Sequence, residues 1–404
     1  MKPALLFLSQ RLPYPPTKGE KIRALRIFRY LAQWYDIHLG CLMDNVADMD
    51  YVATMRALCA DMHVAVITPK VAKVTCLRGL LTGEALSVTY FQDRALNAWV
   101  QTVLREVKPA VIFVYSSNMV PYILDTPFTG RRVVDLVDID SEKWRAYADG
   151  ARGLMKWIYR REWRKITALE HRIARECDVA SFVSDAEADL FRQLLPGSAE
   201  RVLSVSNGVD IDYFDPSGDY PPLYDTTRPN FVFTGTMDYP PNADAVVWFA
   251  TRIFPLIRAD LPAAQFHIVG HSPTDEVRRL ATIDGVHVTG RVTDVRPYVA
   301  HATASVAPLR IARGIQNKVL EAMAMAKPVV VTSGALEGID AQPGTEVIVA
   351  DTVAAFASAC VGLATGPEAL TIGKAARARA IGSYDWSVRL SQFDKFLRPA
   401  EASA

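Results

Sequence analysis

Pro308-Leu-Arg-Ile-Ala-Arg-Gly-Ile-Gln-Asn-Lys-Val-Leu-Glu-Ala-Met-Ala-Met-Ala-Lys-Pro-Val-Val-Val-Thr332 decides how this chain is read. A buried strand ends near Leu309, a short loop carries Arg310, Arg313, Gly314 and Ile315, an eleven-residue helical pattern follows, and a β-branched strand starts after Pro328. Strand, glycine loop, helix and strand in that order make one unit of a parallel α/β sheet. The first turn of such a helix leaves backbone N–H groups unpaired and carries roughly +0.5 of a charge, so it attracts anions. Gly314 lets the backbone approach a ligand with no Cβ in the way. Lys318 falls in the first turn and Glu321 three residues later on the same face. A cation at the helix mouth and an acceptor one turn deeper suit a nucleoside diphosphate, with the diphosphate on Lys318 and ribose hydroxyls on Glu321. A solvated Lys/Glu pair on an amphipathic helix is the competing reading; the loop glycine and the flanking strands weigh against it.

Outward from this stretch, strand-like runs recur at Phe231–Thr234, Gln265–Val269, Val286–Thr289, Ala304–Ala307, Val329–Thr332 and Val347–Val349, with helical patterns between them. An earlier series has the same rhythm: Ala4–Ser9, Ile37–Leu42, His63–Ile67, Ala110–Tyr115, Arg132–Val137, Val179–Val183 and Arg201–Val205. Such alternation predicts an α/β protein of two doubly wound, Rossmann-like domains facing across a cleft, where the carboxyl ends of parallel strands collect ligands. The division falls near 1–210 for an acceptor-side domain and 211–385 for a nucleotide-binding domain. Residues 386–404 form a last helix, able to cross back to the first domain, and a tail. Asn207-Gly-Val-Asp210 reads as the connecting hinge, its Asn-Gly pair tolerating φ > 0.

Further glycine turns close strands of the second series: Gly235 with Thr236, Gly270, and Gly290 followed by Arg291 and Val292. In the first series, Pro13-Tyr-Pro-Pro-Thr-Lys-Gly-Glu-Lys-Ile-Arg23 leads from a strand into a helix that begins near Glu20. There Gly19 admits a ligand, and Lys18, Lys21 and Arg23 surround a second helix N-terminus. A Pro-rich turn with solvated lysines is the plainer alternative.

Asp138-Ile-Asp140 invites a metal reading, against which stands a strand-end acid followed by a helix N-cap at Asp140. Asp135 and Asp138, at the carboxyl end of a central strand, are the better candidates for the cleft. Residues 154–175 form a helix dense in Arg and Lys with Trp157, Ile158 and Trp163 interleaved. It reads either as a surface for acidic lipid or as a solvated helix clamped by Glu162 and Glu170.

The bulk properties bound these readings. Half of the 404 residues are hydrophobic, enough for two cores. Forty-five basic residues against forty-four acidic ones leave a formal charge of +1, which argues against a general nucleic-acid binder. Five scattered cysteines (Cys41, Cys59, Cys76, Cys177, Cys360) show no metal-ligand spacing and read as reduced thiols of a cytoplasmic protein. No apolar run approaches ~20 residues, so no membrane span is expected. G-x-G-x-x-G after a strand, G-x-x-x-x-G-K-[ST], G-x-S-x-G and H-E-x-x-H are all missing from the sequence.

Asn207-Gly-Val-Asp, Phe233-Thr-Gly-Thr-Met-Asp-Tyr-Pro-Pro-Asn242, the Gly270 and Gly290 turns, and Lys318-Val-Leu-Glu-Ala-Met-Ala with Pro328-Val-Val resemble glycosyltransferase family 4, of the GT-B fold. Pro13 to Arg23 and Asp135-Leu-Val-Asp-Ile-Asp-Ser-Glu-Lys-Trp144 resemble, more narrowly, the sugar transferases of PEP-CTERM/exosortase exopolysaccharide systems. The resemblance implies retaining transfer of a sugar from a nucleotide-diphosphate sugar to a saccharide or lipid-linked acceptor. It implies no cofactor and no essential metal, and a cytoplasmic enzyme with a peripheral position at the inner membrane face open to it. Lys318, Asp138 and Arg313 become the catalytic candidates. Gly19, Gly235, Thr236, Gly270, Arg291, Val292, Arg310, Gly314, Ile315 and Glu321 become the donor-binding ones. The sequence departs from the family in three places. Arg313 stands where the first of two motif glutamates belongs, the basic pair after the Gly235 turn is missing, and Val137 replaces the histidine before Asp138. The first departure keeps a catalytically silent binding partner in polysaccharide assembly as an alternative; a sugar-nucleotide epimerase ranks below both, for want of acid/base groups near the strand ends.

Overall fold

A computed structural model describes residues 2–16, 19–312 and 314–399. The chain divides into two compact units, one of residues 1–206 with 390–404 and one of residues 207–389. Each is built on its own all-parallel sheet.

In the first unit seven strands lie in the order β3-β2-β1-β4-β5-β6-β7. They are β1 Ala4–Ser9, β2 Asp36–Met43, β3 Asp61–Val66, β4 Val111–Tyr115, β5 Arg131–Val137, β6 Val179–Phe182 and β7 Val202–Ser204. The second unit has β8 Asn230–Thr234, β9 Gln265–Val269, β10 Val286–Gly290, β11 Ala304–Ala307, β12 Val329–Val331 and β13 Ile348–Val349, ordered β10-β9-β8-β11-β12-β13. Every expected strand is present, displaced by two residues at most. The apolar runs form these strands because helices cover both sheet faces: Leu6, Leu8, Ile112, Val114 and Val134 are fully buried, as are Phe231, Phe233, Phe266, Ile268 and Val330. In each unit the strand order reverses once. The reversal lies between β1 and β4, where Leu6 pairs with Ile112, and between β8 and β11, where Val232 pairs with Ser305. At such a reversal the loops leave in opposite directions and open a crevice at the carboxyl ends of the strands.

Three expectations need correction here. Gly208 does not take a left-handed backbone. Its lack of a side chain serves close approach, since a Cβ there would stand 2.7 Å from the Tyr384 carbonyl and 3.0 Å from Trp386 Cα. Val209 N donates to Tyr384 O at 2.7 Å, so this stretch, where the chain passes from one unit to the other, is tied to the end of the second unit. The last helix, expected over 386–397, is three short turns, Trp386–Leu390, Ser391–Phe393 and Asp394–Leu397. From Leu390 on they belong to the first unit: the Phe393 ring meets Phe113 edge-on at 5.7 Å, and Tyr30 Oη donates to Asp394. Third, Glu162 and Glu170 do not clamp the surface of their own helix, Gly153–Glu176. Both are buried, Glu162 accepting from Leu86 N and Ser87 N and Glu170 from Ser141 N. Burial pushes the Glu170 carboxyl up to about 7.

No single described helix is long and apolar enough to cross a membrane; one bent pair, Val353–Thr365 with Glu368–Tyr384, passes by composition, and it packs Phe356, Cys360, Ile372 and Ala376 into the core.

Candidate functional site

At the carboxyl edge of the second sheet, β10, β9, β8 and β11 deliver their end loops side by side. Four strands span roughly 14 Å at ~4.8 Å per strand, about the length of a nucleoside diphosphate. Gly235 ends β8 and Gly270 ends β9, with φ of +159° and +152°. Gly235 N donates to Val269 O at 3.0 Å and Met237 N to His271 O at 2.9 Å, so the two turns lie back to back. A Cβ on Gly270 would come within 1.7 Å of the Gly235 carbonyl oxygen. Only glycine fits at that position. Thr236 Oγ1 meets His271 Nε2 at 3.1 Å on the exposed rim.

The helix Pro240–Trp248 begins with Pro240 and Pro241, residues whose missing N–H costs nothing in a first turn. It buries Asn242 directly behind the Gly235 loop. Asn242 Nδ2 donates to Thr236 O at 2.9 Å, and Asn242 Oδ1 accepts from Lys318 Nζ at 3.1 Å. Lys318 is the second residue of the helix Asn317–Ala324, shorter than the expected eleven, which starts without a side-chain cap. Its ammonium also lies 5.1 Å from the centre of the Phe233 ring. Loss of water lowers the Lys318 amine to about 8, an effect Glu321 opposes; the same loss raises Glu321 to about 6, opposed by Lys318. Lys318 thus keeps its charge at neutral pH between Asn242 and the Phe233 ring, part-buried and with less water than at an open surface, where it acts strongly on a nearby anion.

Gly314 stands in the loop ahead of this helix at φ +65°, with open space where a Cβ would point, and its carbonyl accepts from Gln316 Nε2 at 3.0 Å. Ile315 is partly buried against the core beside Gly338. Arg291 follows Gly290, whose φ is +67°, and is exposed with no acidic partner among the described residues. Val292 packs with Val232, Val269 and Ala302 in a small apolar cluster beneath that loop. Arg310 does not offer a free charge: both arms of its guanidinium are engaged by the Asp244 carboxylate, Nε at 3.0 Å. Arg313 lies outside the described residues, as does Lys18.

Gly19 and Asp138 belong to the first unit. Gly19 opens the helix Gly19–Leu31 and is exposed, with nothing within 4 Å of an added Cβ. Of the cations expected around it, the two among the described residues, Lys21 and Arg23, are not presented to solvent, because both are neutralised from within. Lys21 Nζ binds Asp48 at 2.7 Å, and the fully buried Arg23 holds Asp135 through Nε at 2.7 Å and Nη2 at 3.1 Å. Asp135 also accepts from Ser181 Oγ, so it is a core partner of Arg23 instead of a cleft acid. Asp138 follows Val137, which has φ of +69°, and accepts from Lys143 Nζ at 2.8 Å. Lys143 bridges on to Asp140 at 3.3 Å, and Asp140 accepts from Ser117 Oγ. Asp140 is therefore the first residue of its helix and not its N-cap, a position Ile139 holds.

The structure gathers Gly235, Thr236, Gly270, Arg291 and Gly314 on loops of one sheet edge, with Lys318 and Glu321 on the helix that follows, and adds Asn242, which the sequence offered only as the end of the Phe233–Asn242 stretch. A short polar side chain directly after a pair of prolines, following a strand and glycine turn, was the available signal.

Residues 228–365 match the family model described as glycosyl transferases group 1. The match marks the chain as a transferase, and it contains every loop of the sheet edge just described. No curated protein matches the chain. Among solved structures, sucrose-phosphate synthase of Thermosynechococcus elongatus is similar at 15% identity and a TM-score of 0.66, with both chains covered in full. HepE of Anabaena, in complex with UDP and glucose, is similar at 16% identity and a TM-score of 0.66, covering 98% of this chain and 99% of its own. WaaG, a glycosyltransferase involved in lipopolysaccharide biosynthesis, is similar at 16% identity and a TM-score of 0.65, covering 98% and 100%. These likenesses establish the fold: two Rossmann-like units of the GT-B type.

Proposed function

We propose that this chain is a retaining glycosyltransferase that moves a sugar from a nucleoside-diphosphate sugar to a saccharide or lipid-linked acceptor in exopolysaccharide synthesis. The observation that carries the reading is the fixed ammonium of Lys318, held by Asn242 at the mouth of a helix whose preceding loop is opened by Gly314. In the transfer, the bond from the sugar C1 to the β-phosphate oxygen breaks and the acceptor hydroxyl oxygen bonds to C1. The acceptor proton passes to the departing diphosphate. Negative charge grows on that diphosphate, and a cation already in place stabilises it with little reorganisation. Glu321, one turn deeper, accepts from the ribose hydroxyls; the Gly235 and Gly270 turns bring backbone close to the phosphates, and Arg291 with Val292 borders the base. Asp138, held by Lys143, is assigned to the acceptor side. HepE, on the same fold, was solved with UDP and glucose, which supports a uridine nucleotide as the first donor to try. The sequence resemblance to family 4, and more narrowly to PEP-CTERM/exosortase-associated transferases, is what supports the exopolysaccharide acceptor.

The test is a thermal-shift screen of UDP, GDP, ADP and dTDP followed by calorimetry on the wild type, Lys318→Ala and Glu321→Ala. One nucleotide should stabilise the protein, and Lys318→Ala should abolish the effect. Stabilisation by none of them, or equal affinity in all three proteins, would refute the site.

A further inference from the structure

The first unit carries an exposed apolar strip that its core does not use. Between β3 and β4 the chain passes through the helices Pro69–Thr75 and Gly79–Thr82, and Val71, Val74, Leu77 and Leu81 turn outward, Leu81 with 89% of its surface exposed. Beside them stands the first half of the helix Gly153–Glu176, where Leu154 and Trp157 are 71% and 56% exposed. The two stretches are locked together. Arg161 donates to the carbonyls of Gly79 and Glu84, and Glu162 accepts from Leu86 N at 2.8 Å. A Cβ on Gly83 would come within 3.7 Å of Lys165 Nζ. Leu154, Trp157, Arg161 and Lys165 recur at helical spacing, so Trp157 stands about 6 Å along the axis from the arginine that grips the 79–84 turn. The apolar residues of both stretches therefore border one surface.

The charge around that surface is one-sided. Residues 69–84 and 152–165 hold nine Lys and Arg and two acids, Glu162 and the exposed Glu84, in a chain whose formal charge is +1. Glu162 is buried and already bound. Lys70, Lys73, Arg78, Arg160, Arg164 and Lys165 are exposed and form no salt bridge among the described residues. A merely solvated face would interleave acids, and a nucleic acid would leave Leu81 and Leu154 without a reason to be outside. Large apolar side chains ringed by unpaired cations fit the boundary of an anionic bilayer.

We propose that this face of the first unit docks on an anionic lipid bilayer, with Leu81 and Trp157 entering the acyl boundary and the cations resting at the lipid phosphates. The proposal uses none of the residues of the Lys318 site and stands whether or not the transferase reading does.

The test is co-sedimentation of the full chain with vesicles of phosphatidylcholine alone and with about one third phosphatidylglycerol, backed by quenching from lipids brominated in the acyl chain. The wild type should sediment only with the anionic vesicles. Leu81→Asp with Trp157→Ser should lower binding by about tenfold or more, and so should Lys70→Glu with Lys73→Glu and Arg164→Glu. Brominated-lipid quenching should shrink in Trp157→Phe. Circular dichroism and melting matched to the wild type establish that the variants fold, and unchanged nucleotide binding would separate this face from the donor site. Failure of the wild type to sediment, sedimentation indifferent to Leu81→Asp with Trp157→Ser, or competition by RNA that strips the protein from vesicles would overturn the proposal.

Discussion

Lys318 and Thr236 are joined through one side chain: Asn242 gives its amide N–H to the Thr236 carbonyl at 2.9 Å and takes the Lys318 ammonium on its oxygen at 3.1 Å. The amide cannot turn without losing both bonds, so the cation and the β8 loop hold a fixed spacing. Asn242→Ala leaves a part-buried ammonium without its acceptor. A hydrogen bond to a charged group contributes about 1.5–3 kcal/mol to stability, so the melting temperature should fall by a few degrees, and with the cation no longer held, nucleoside-diphosphate affinity by calorimetry should fall tenfold or more. Affinity equal to the wild type would remove Asn242 from the site.

The pH dependence follows from two groups pushed toward neutrality. Lys318, lowered to about 8, is protonated below that pH; Glu321, raised to about 6, is ionised above that one. Both carry charge only between about 6 and about 8. A kcat/KM profile, which reports the free enzyme, should be bell-shaped with limbs near those values. Lys318→Arg should flatten the alkaline limb, and Glu321→Gln the acid limb. A profile whose limbs do not move in either variant assigns them to other groups.

Gly270→Ala should destabilise the second unit strongly. The new methyl would overlap the Gly235 carbonyl, a backbone atom held by the β8–β9 ladder, and overpacking of this kind costs about 3 kcal/mol or more. Gly290→Ala faces open space and bears only the left-handed φ, a penalty of about 1–2 kcal/mol. Calorimetric melting of the two variants should rank them in that order.

Arg23 and Asp135 form a pair sealed from water, and removing one partner strands the other. Asp135→Ala should cost about 3–5 kcal/mol in urea unfolding. Arg23→Met with Asp135→Leu together should recover most of that loss. Both sets of variants should keep nucleotide affinity, which distinguishes this pair from Lys318.

The sheets were legible because each buried parallel strand is a short apolar, β-branched run bounded by Gly, Pro or a polar residue, and that pattern is local. Gly235, Gly270 and Gly290 were legible for the same reason, each closing a recognisable strand. What stayed hidden depended on pairs far apart in the chain. Nothing near Arg23 announces Asp135, 112 residues on, so a buried cation read as a ligand contact. Gly208 read as a residue for positive φ because the residues it must avoid, 384–386, arrive much later. Arg310 looked available until Asp244, 66 residues away, closed on it. Charge on a side chain is visible in sequence; whether it is already neutralised is not.

The two aromatic rings of Phe113 and Phe393 meet across 280 positions of chain, and both are fully shielded. During synthesis every strand of the first sheet leaves the ribosome while the segment that caps Phe113 is still unmade. Until Phe393 has been made, the nascent half carries a bare greasy spot, and a fragment ending at Ser206 keeps it for good. A peptide spanning 390–399, added in trans, is the natural complement for such a fragment.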